Sequence, residues 1–158
     1  MTNIFYNVWN TPYNVPAFDK ISDDEFMPAF EEGIQEELAH IEKIANNPDA
    51  PTFENTIEPR FDDGTILERV LTAFYAVNGA DTNEKREAIA REFSPKLADL
   101  NSKIYANKNL FKRIDTLFQS RDALNLTEEQ HRVLTLEHQA WIRSGASLTG
   151  AAEDRMKD

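Results

Sequence analysis

At three places along this chain where a helix is expected to begin, a Ser or Thr is followed three residues later by Glu or Gln: Ser22 with Glu25, Thr65 with Glu68, and Thr127 with Gln130. In that pattern the hydroxyl accepts from an orphan amide of the first helical turn, and the longer side chain reaches back to the amide of the cap residue. Each pair stands where apolar residues begin to recur at spacings of three and four. Phe26, Phe30, Ile34, Ile41 and Ala45 follow the first, and Leu67, Val70, Leu71, Phe74 and Val77 the second. Between turn signals no segment alternates in the manner of a strand, and no unit repeats with a solenoid period. The chain is therefore expected to be all-α, an irregular bundle of about six or seven helices.

The remaining boundaries come from Pro, Gly and Asn. Residues 1–21 are rich in Pro, Asn and aromatics and read as an extended aromatic arm, with Pro12 and Pro16 holding their predecessors out of helical geometry. Pro28 lies too deep for a free first-turn position, so a short opening turn and a kink are expected there. In "APTFENTIEP", residues 50–59, Thr52 is a candidate N-cap, and Pro59 and Gly64 limit the helix it starts. A polar helix runs from about residue 83 to "YANKN" and is expected to be interrupted at Pro95; Leu110, Ile114, Leu117 and Phe118 mark a shorter one. The helix after Thr127 ends at Gly145, and "TGAAEDRMKD" starts another, which suggests a piece of a longer protein.

Composition narrows the function classes. With 158 residues and 41% apolar side chains, one helical domain over 1–158 is expected, including the arm at 1–21. Cysteine is absent, so neither disulfides nor thiolate metal sites arise, which fits a reducing, cytoplasmic setting. The formal charge of −11 disfavours nucleic acid and anionic membrane surfaces as partners. No apolar run is long enough to span a bilayer, and the N-terminus lacks signal-peptide character.

The residues offer little chemistry. No H-E-x-x-H pair occurs. His131 and His138 share a helix face but stand two turns apart, roughly 10 Å, and neither they with Glu128 and Glu137 nor His40 supply ligands at tetrahedral spacing. The acid pairs Asp23/Asp24, Glu31/Glu32 and Asp62/Asp63 are adjacent, and adjacent helical residues do not face each other. No serine sits in a nucleophile elbow, no glycine-rich phosphate loop occurs, and "NLT" at 125–127 reads as a loop leading to a cap. Phe5, Tyr6, Trp9 and Tyr13 of the arm could hold a ligand but more commonly would pack back on their own domain. No catalytic, cofactor-binding or metal-ligating residue is expected here.

What the residues do carry is a resemblance. "TPYNVPAFDKI", "FMPAFEEGI", "IANNPDAPTFENTIEP", "ADTNE", "SPKLADLNSKIYANKNLFKRI", "LTEEQHRVL" and "IRSGASLTG", in this order, resemble the N-terminal region of M3-family zinc metallopeptidases, which include oligopeptidase A and the peptidyl-dipeptidases. The "RSGASL" ending leans toward the peptidyl-dipeptidases; "EPRFDDG" departs from the family pattern. The resemblance implies a largely helical enzyme with zinc in an internal channel that admits short peptides, the N-terminal part forming one wall. The zinc motif and its third glutamate ligand would lie in a downstream region, so this segment alone is expected to be inactive. A free-standing helical peptide-binding or scaffold module is the alternative. His131, Leu134, His138 and Trp141 form one stripe, with Val133, Leu136 and Ala140 beside it. From this breadth an exposed apolar face near Trp141, docking the catalytic region, is expected.

Overall fold

The computed structural model describes residues 3–61 and 64–148. The described residues form five α-helices: α1 Phe26–Ala45, α2 Ile66–Ala80, α3 Glu84–Tyr105, α4 Lys108–Ser120 and α5 Glu128–Arg143. Short 3-10 or π turns join them, and no strand occurs among the described residues, so the fold is all-α. No described helix is long and apolar enough to cross a membrane. The further helix expected from residue 149 and the pair Asp62/Asp63 lie outside the described residues.

The chain forms two compact units: residues 1–39 with 62–100, and residues 40–61 with 101–158. The first is organised around phenylalanine. Phe26 and Phe30 of α1, Phe74 of α2 and Phe93 of α3 are all buried. Phe74 meets Phe26 and Phe30 edge-on at 5.1 and 5.4 Å, and Phe93 stacks on Phe30 at 3.6 Å. Edge and offset contacts of this kind add to the area buried by each ring. Helices α1 and α2 approach so closely that a Cβ on Gly33 would stand 2.7 Å from the Leu67 nitrogen.

The arm is not extended throughout. It makes 3-10 turns at Ile4–Tyr6 and Pro12–Asn14. Phe5 packs back as expected, fully buried against Phe26 and Trp9. Asn3 Nδ2 donates to the Glu25 carbonyl (2.8 Å), the Ile4 amide to Glu25 Oε1 (3.0 Å), and Arg69 Nε to the Phe5 carbonyl (2.9 Å). Tyr6 and Tyr13, by contrast, stay exposed.

The caps behave largely as their sequences predict. Ser22 with Glu25 and Thr127 with Gln130 form reciprocal boxes. Thr65 accepts from the Glu68 amide (3.1 Å), but the Glu68 carboxylate takes the Gly64 amide instead of returning to its cap. Gly64 sits at φ 87°, which turns its N–H toward that carboxylate. A 3-10 turn over Asp23–Glu25 precedes α1 and is the short opening turn expected ahead of Pro28. Pro95 does not interrupt its helix: α3 continues through it. A proline removes one helical donor, but the helix is anchored on either side by the buried side chains of Phe93 and Leu100, whose packing favours continuity. Ser94 Oγ also donates to the Ala90 carbonyl (2.6 Å) just ahead of it.

Candidate functional site

The most elaborate polar arrangement is built on the stretch that carried the resemblance. Thr52 and Asn55 cap each other: the Asn55 amide donates to Thr52 Oγ1 (3.2 Å) and the Thr52 amide to Asn55 Oδ1 (2.8 Å). The helix that follows is not the expected α-helix. Phe53–Ile57 makes a single π turn, closed by the Glu58 amide on the Phe53 carbonyl, and Glu58–Phe61 continues as a 3-10 turn. The proline explains this. In α geometry the Pro59 ring would press on the Asn55 carbonyl and leave it without a donor, and the wider turn relieves that contact.

Into this turn α4 projects Arg113, only 8% exposed. Its Nε donates to Thr56 Oγ1 (3.2 Å), one terminal nitrogen to the carbonyls of Asn47 and Asp49 (2.9 Å each), and the other to Asn55 Oδ1 (2.8 Å). Asn55 Oδ1 also accepts from Thr56 Oγ1 (2.8 Å), while Asn55 Nδ2 donates to the Ala50 carbonyl (2.9 Å). The cation is thus solvated by dipoles of one loop, with every donor nitrogen occupied. Four of its five N–H donors are held by this loop, which the guanidinium fixes in place. Sequence reasoning missed Arg113, which in "LFKRI" looks like an ordinary solvated charge.

The histidines are dispersed among separate partners. His40 Nε2 lies 2.7 Å from the Pro59 carbonyl, which can only accept, so that nitrogen carries the proton. His138 Nε2 donates to Asp115 Oδ1 (2.9 Å), and its ring lies flat on Phe118 at 3.8 Å. His131 faces Asp122 at 3.6 Å. A His–Asp pair suggests general-base chemistry, but the nearby hydroxyls of Thr116 and Thr135 donate to their own helices, at the Lys112 and His131 carbonyls. Among the described residues no three His, Asp or Glu side chains converge to hold a metal. The described residues therefore do not fit a zinc site.

Trp141 corrects an expectation. The stripe His131, Leu134, His138, Trp141 does share a face, but the indole expected at the centre of an exposed patch is 0% exposed. Tyr105 meets it edge-on at 5.0 Å, Phe111 stacks at 6.1 Å, and the Arg60 guanidinium lies 5.5 Å from the ring centroid. Arg60 in turn pairs with Glu137. Trp141 Nε1 and Arg60 Nε are buried without a protein acceptor. The breadth of apolar character on α5 is used within its own unit, because α4 covers one flank and the Phe53–Ile57 turn another. Leu136 and Ile142 remain exposed, six residues apart and so on different sides of the helix.

The acid pairs divide between different partners. Asp24 and Asp23 bond Lys85 and Arg86 respectively, and Asn83 Nδ2 also donates to Asp23 (3.0 Å). Burial pushes the Asp23 carboxyl up, but hydrogen bonds from Asn83 and Arg86, with the charges of Arg86 and Lys85, outweigh it and hold the group below the usual range. A depressed folded-state value means stabilisation that is present above the ordinary Asp range, about 3.9, and lost as pH falls through the folded value. Asp23→Asn is accordingly expected to flatten the acid limb of the stability–pH curve, read by urea unfolding at several pH values. An unchanged limb would refute this account. Glu31 pairs with Lys96, raising the lysine through that hydrogen bond.

Two relatives decide the direction. The chain is similar to dipeptidyl carboxypeptidases. It is 39% identical to that of Escherichia coli and 38% identical to that of Salmonella typhimurium, over 146 residues in each case. The alignments cover 92% of this chain but only 21% and 22% of those proteins, so the chain spans about a fifth of the length of the relatives it matches. No family model matches the sequence.

Proposed function

We propose that this chain is the N-terminal, non-catalytic region of a longer cytoplasmic peptidyl-dipeptidase of the M3 type, in which it forms a wall of the channel that admits short peptides. One observation carries the reading: an alignment that runs over nine-tenths of this chain occupies about a fifth of two dipeptidyl carboxypeptidases. The polar groups of the segment support it. Arg113, Asn55, His138 and Asp115 are engaged in positioning loops and helices, as a wall requires. In this reading zinc belongs to the parent enzyme, and its ligands come from a region outside these residues. What the segment contributes is shape: helices set at fixed angles by capped turns, and a net-negative surface.

The test compares the segment with its parent reading frame. The 158-residue chain, supplied with zinc, is expected to release no C-terminal dipeptide from short peptides, whereas the parent releases them and loses activity to a chelator. Stoichiometric zinc with turnover in the segment alone would overturn the proposal. So would a parent reading frame without an H-E-x-x-H motif.

A further inference from the structure

Exposed apolar side chains are concentrated in the arm. Of the nine large ones among the described residues, Tyr6 (38%), Val8 (77%), Tyr13 (98%), Val15 (46%) and Phe18 (45%) fall within thirteen consecutive residues. The same stretch is electrically blank. The chain holds 17 basic and 28 acidic side chains, yet residues 1–18 contain none of them. Depletion of charge together with enrichment in aromatics is the composition of an interface core, and differs from that of a solvated loop. Nor is the exposure that of a loose end, because Phe5 is buried and Asn3, Ile4 and Phe5 are bonded to Glu25 and Arg69.

The backbone adds a second observation. Tyr13 and Asn14 both have positive φ, 60° and 54°, in a turn closed by the Asn14 amide on the Thr11 carbonyl (3.0 Å). Left-handed geometry is uncommon for a bulky residue and costs on the order of 1 kcal/mol or more. Here it holds an aromatic ring almost wholly in solvent, where the ring gains nothing from its own unit.

We propose that the outward face of the arm, Tyr6, Val8, Tyr13, Val15 and Phe18, docks against the part of the parent peptidase that lies beyond the matched fifth. The inference rests on the functional reading above and replaces Trp141 as the centre of that contact. The relatives carry about four-fifths of their length outside the matched region, which supplies a permanent partner of ample area. Permanent contacts are the class in which uncharged, aromatic surfaces are buried. A second copy is the weaker candidate, because each copy brings a formal charge of −11.

Hydroxyl-radical footprinting of the parent and the 158-residue chain in parallel tests this without any substitution. Oxidation of Tyr13 and Phe18 is expected to be several-fold slower in the parent, while the core residue Phe5 stays protected in both. Equal rates for Tyr13 and Phe18 overturn the docking and leave the functional reading intact if the parent is an active peptidase. Protection in a self-associated segment assigns the face to a second copy and also overturns it. The triple variant Val8→Ser, Tyr13→Ser, Phe18→Ser gives an independent readout, because these side chains contribute little to the segment's own core. Its thermal midpoint is expected to match that of the unsubstituted segment, whereas the same changes lower the parent's midpoint by several degrees. Equal midpoints in the parent refute the proposal. A reading frame that stops after Asp158 removes the functional reading, and the docking with it.

Discussion

Arg113→Ala is expected to lower the unfolding free energy by about 3–5 kcal/mol, because four hydrogen bonds to one buried cation are lost at once. Four acceptors drawn from Asn47, Asp49, Asn55 and Thr56 lose their donor together, and the aliphatic stem leaves a void in the same change. Arg113→Lys should recover little, since one ammonium cannot span acceptors that a planar fork reaches in several directions. Asn55→Ala is predicted to cost less than either. It removes one guanidinium contact and the reciprocal cap but leaves both backbone carbonyls on Arg113. Urea unfolding monitored by circular dichroism measures all three, with midpoints compared at constant slope. A loss for Arg113→Ala of the size seen at ordinary surface positions, about 0.5 kcal/mol or less, would show that the loop holds without it.

Gly33→Ala sets two effects against each other. Inside a helix the exchange is intrinsically favourable by about 1 kcal/mol. Here the new methyl would lie 2.7 Å from the Leu67 nitrogen and 2.8 Å from its Cα, both backbone atoms of the first turn of α2. Those atoms can yield only if the helices separate, and Ile66 is also tied to Glu36 through its amide (2.9 Å). Overpacking of this kind costs about 1–3 kcal/mol, so the net change is expected to be destabilising, and Gly33→Val more so. A thermal midpoint that rises in Gly33→Ala would mean that α1 and α2 are less closely apposed. Gly79, in the last turn of α2, has nothing within 4 Å of its would-be Cβ, so Gly79→Ala serves as the internal control and should gain stability.

The difference between these two glycines shows what the chain made legible. Both sit in helical patterns, and nothing local marks one as a close approach. The caps were legible because each is completed within four residues: Ser22 with Glu25, Thr52 with Asn55, Thr127 with Gln130. Arg113 was not, because its acceptors lie 57 to 66 residues away. The stripe on α5 was read with the right members and the wrong destination. Spacing shows which residues share a face, whereas what covers that face depends on segments remote in sequence. The π turn failed for a related reason, since Pro59 announces that a helix must change but leaves open whether it tightens, widens or stops.

The two tryptophans belong to different units, Trp9 to the first and Trp141 to the second. Trp9 stands edge-on to Phe5 at 5.6 Å and is partly open to solvent, whereas Trp141 is sealed, with an indole nitrogen that no protein group relaxes. Each unit therefore contains its own optical reporter. Emission from Trp141 is expected at the shorter wavelength, and a soluble quencher is expected to extinguish Trp9 first. With Trp9→Phe and Trp141→Phe as single-emitter proteins, the order in which the two halves of the chain lose structure becomes a matter of following two colours.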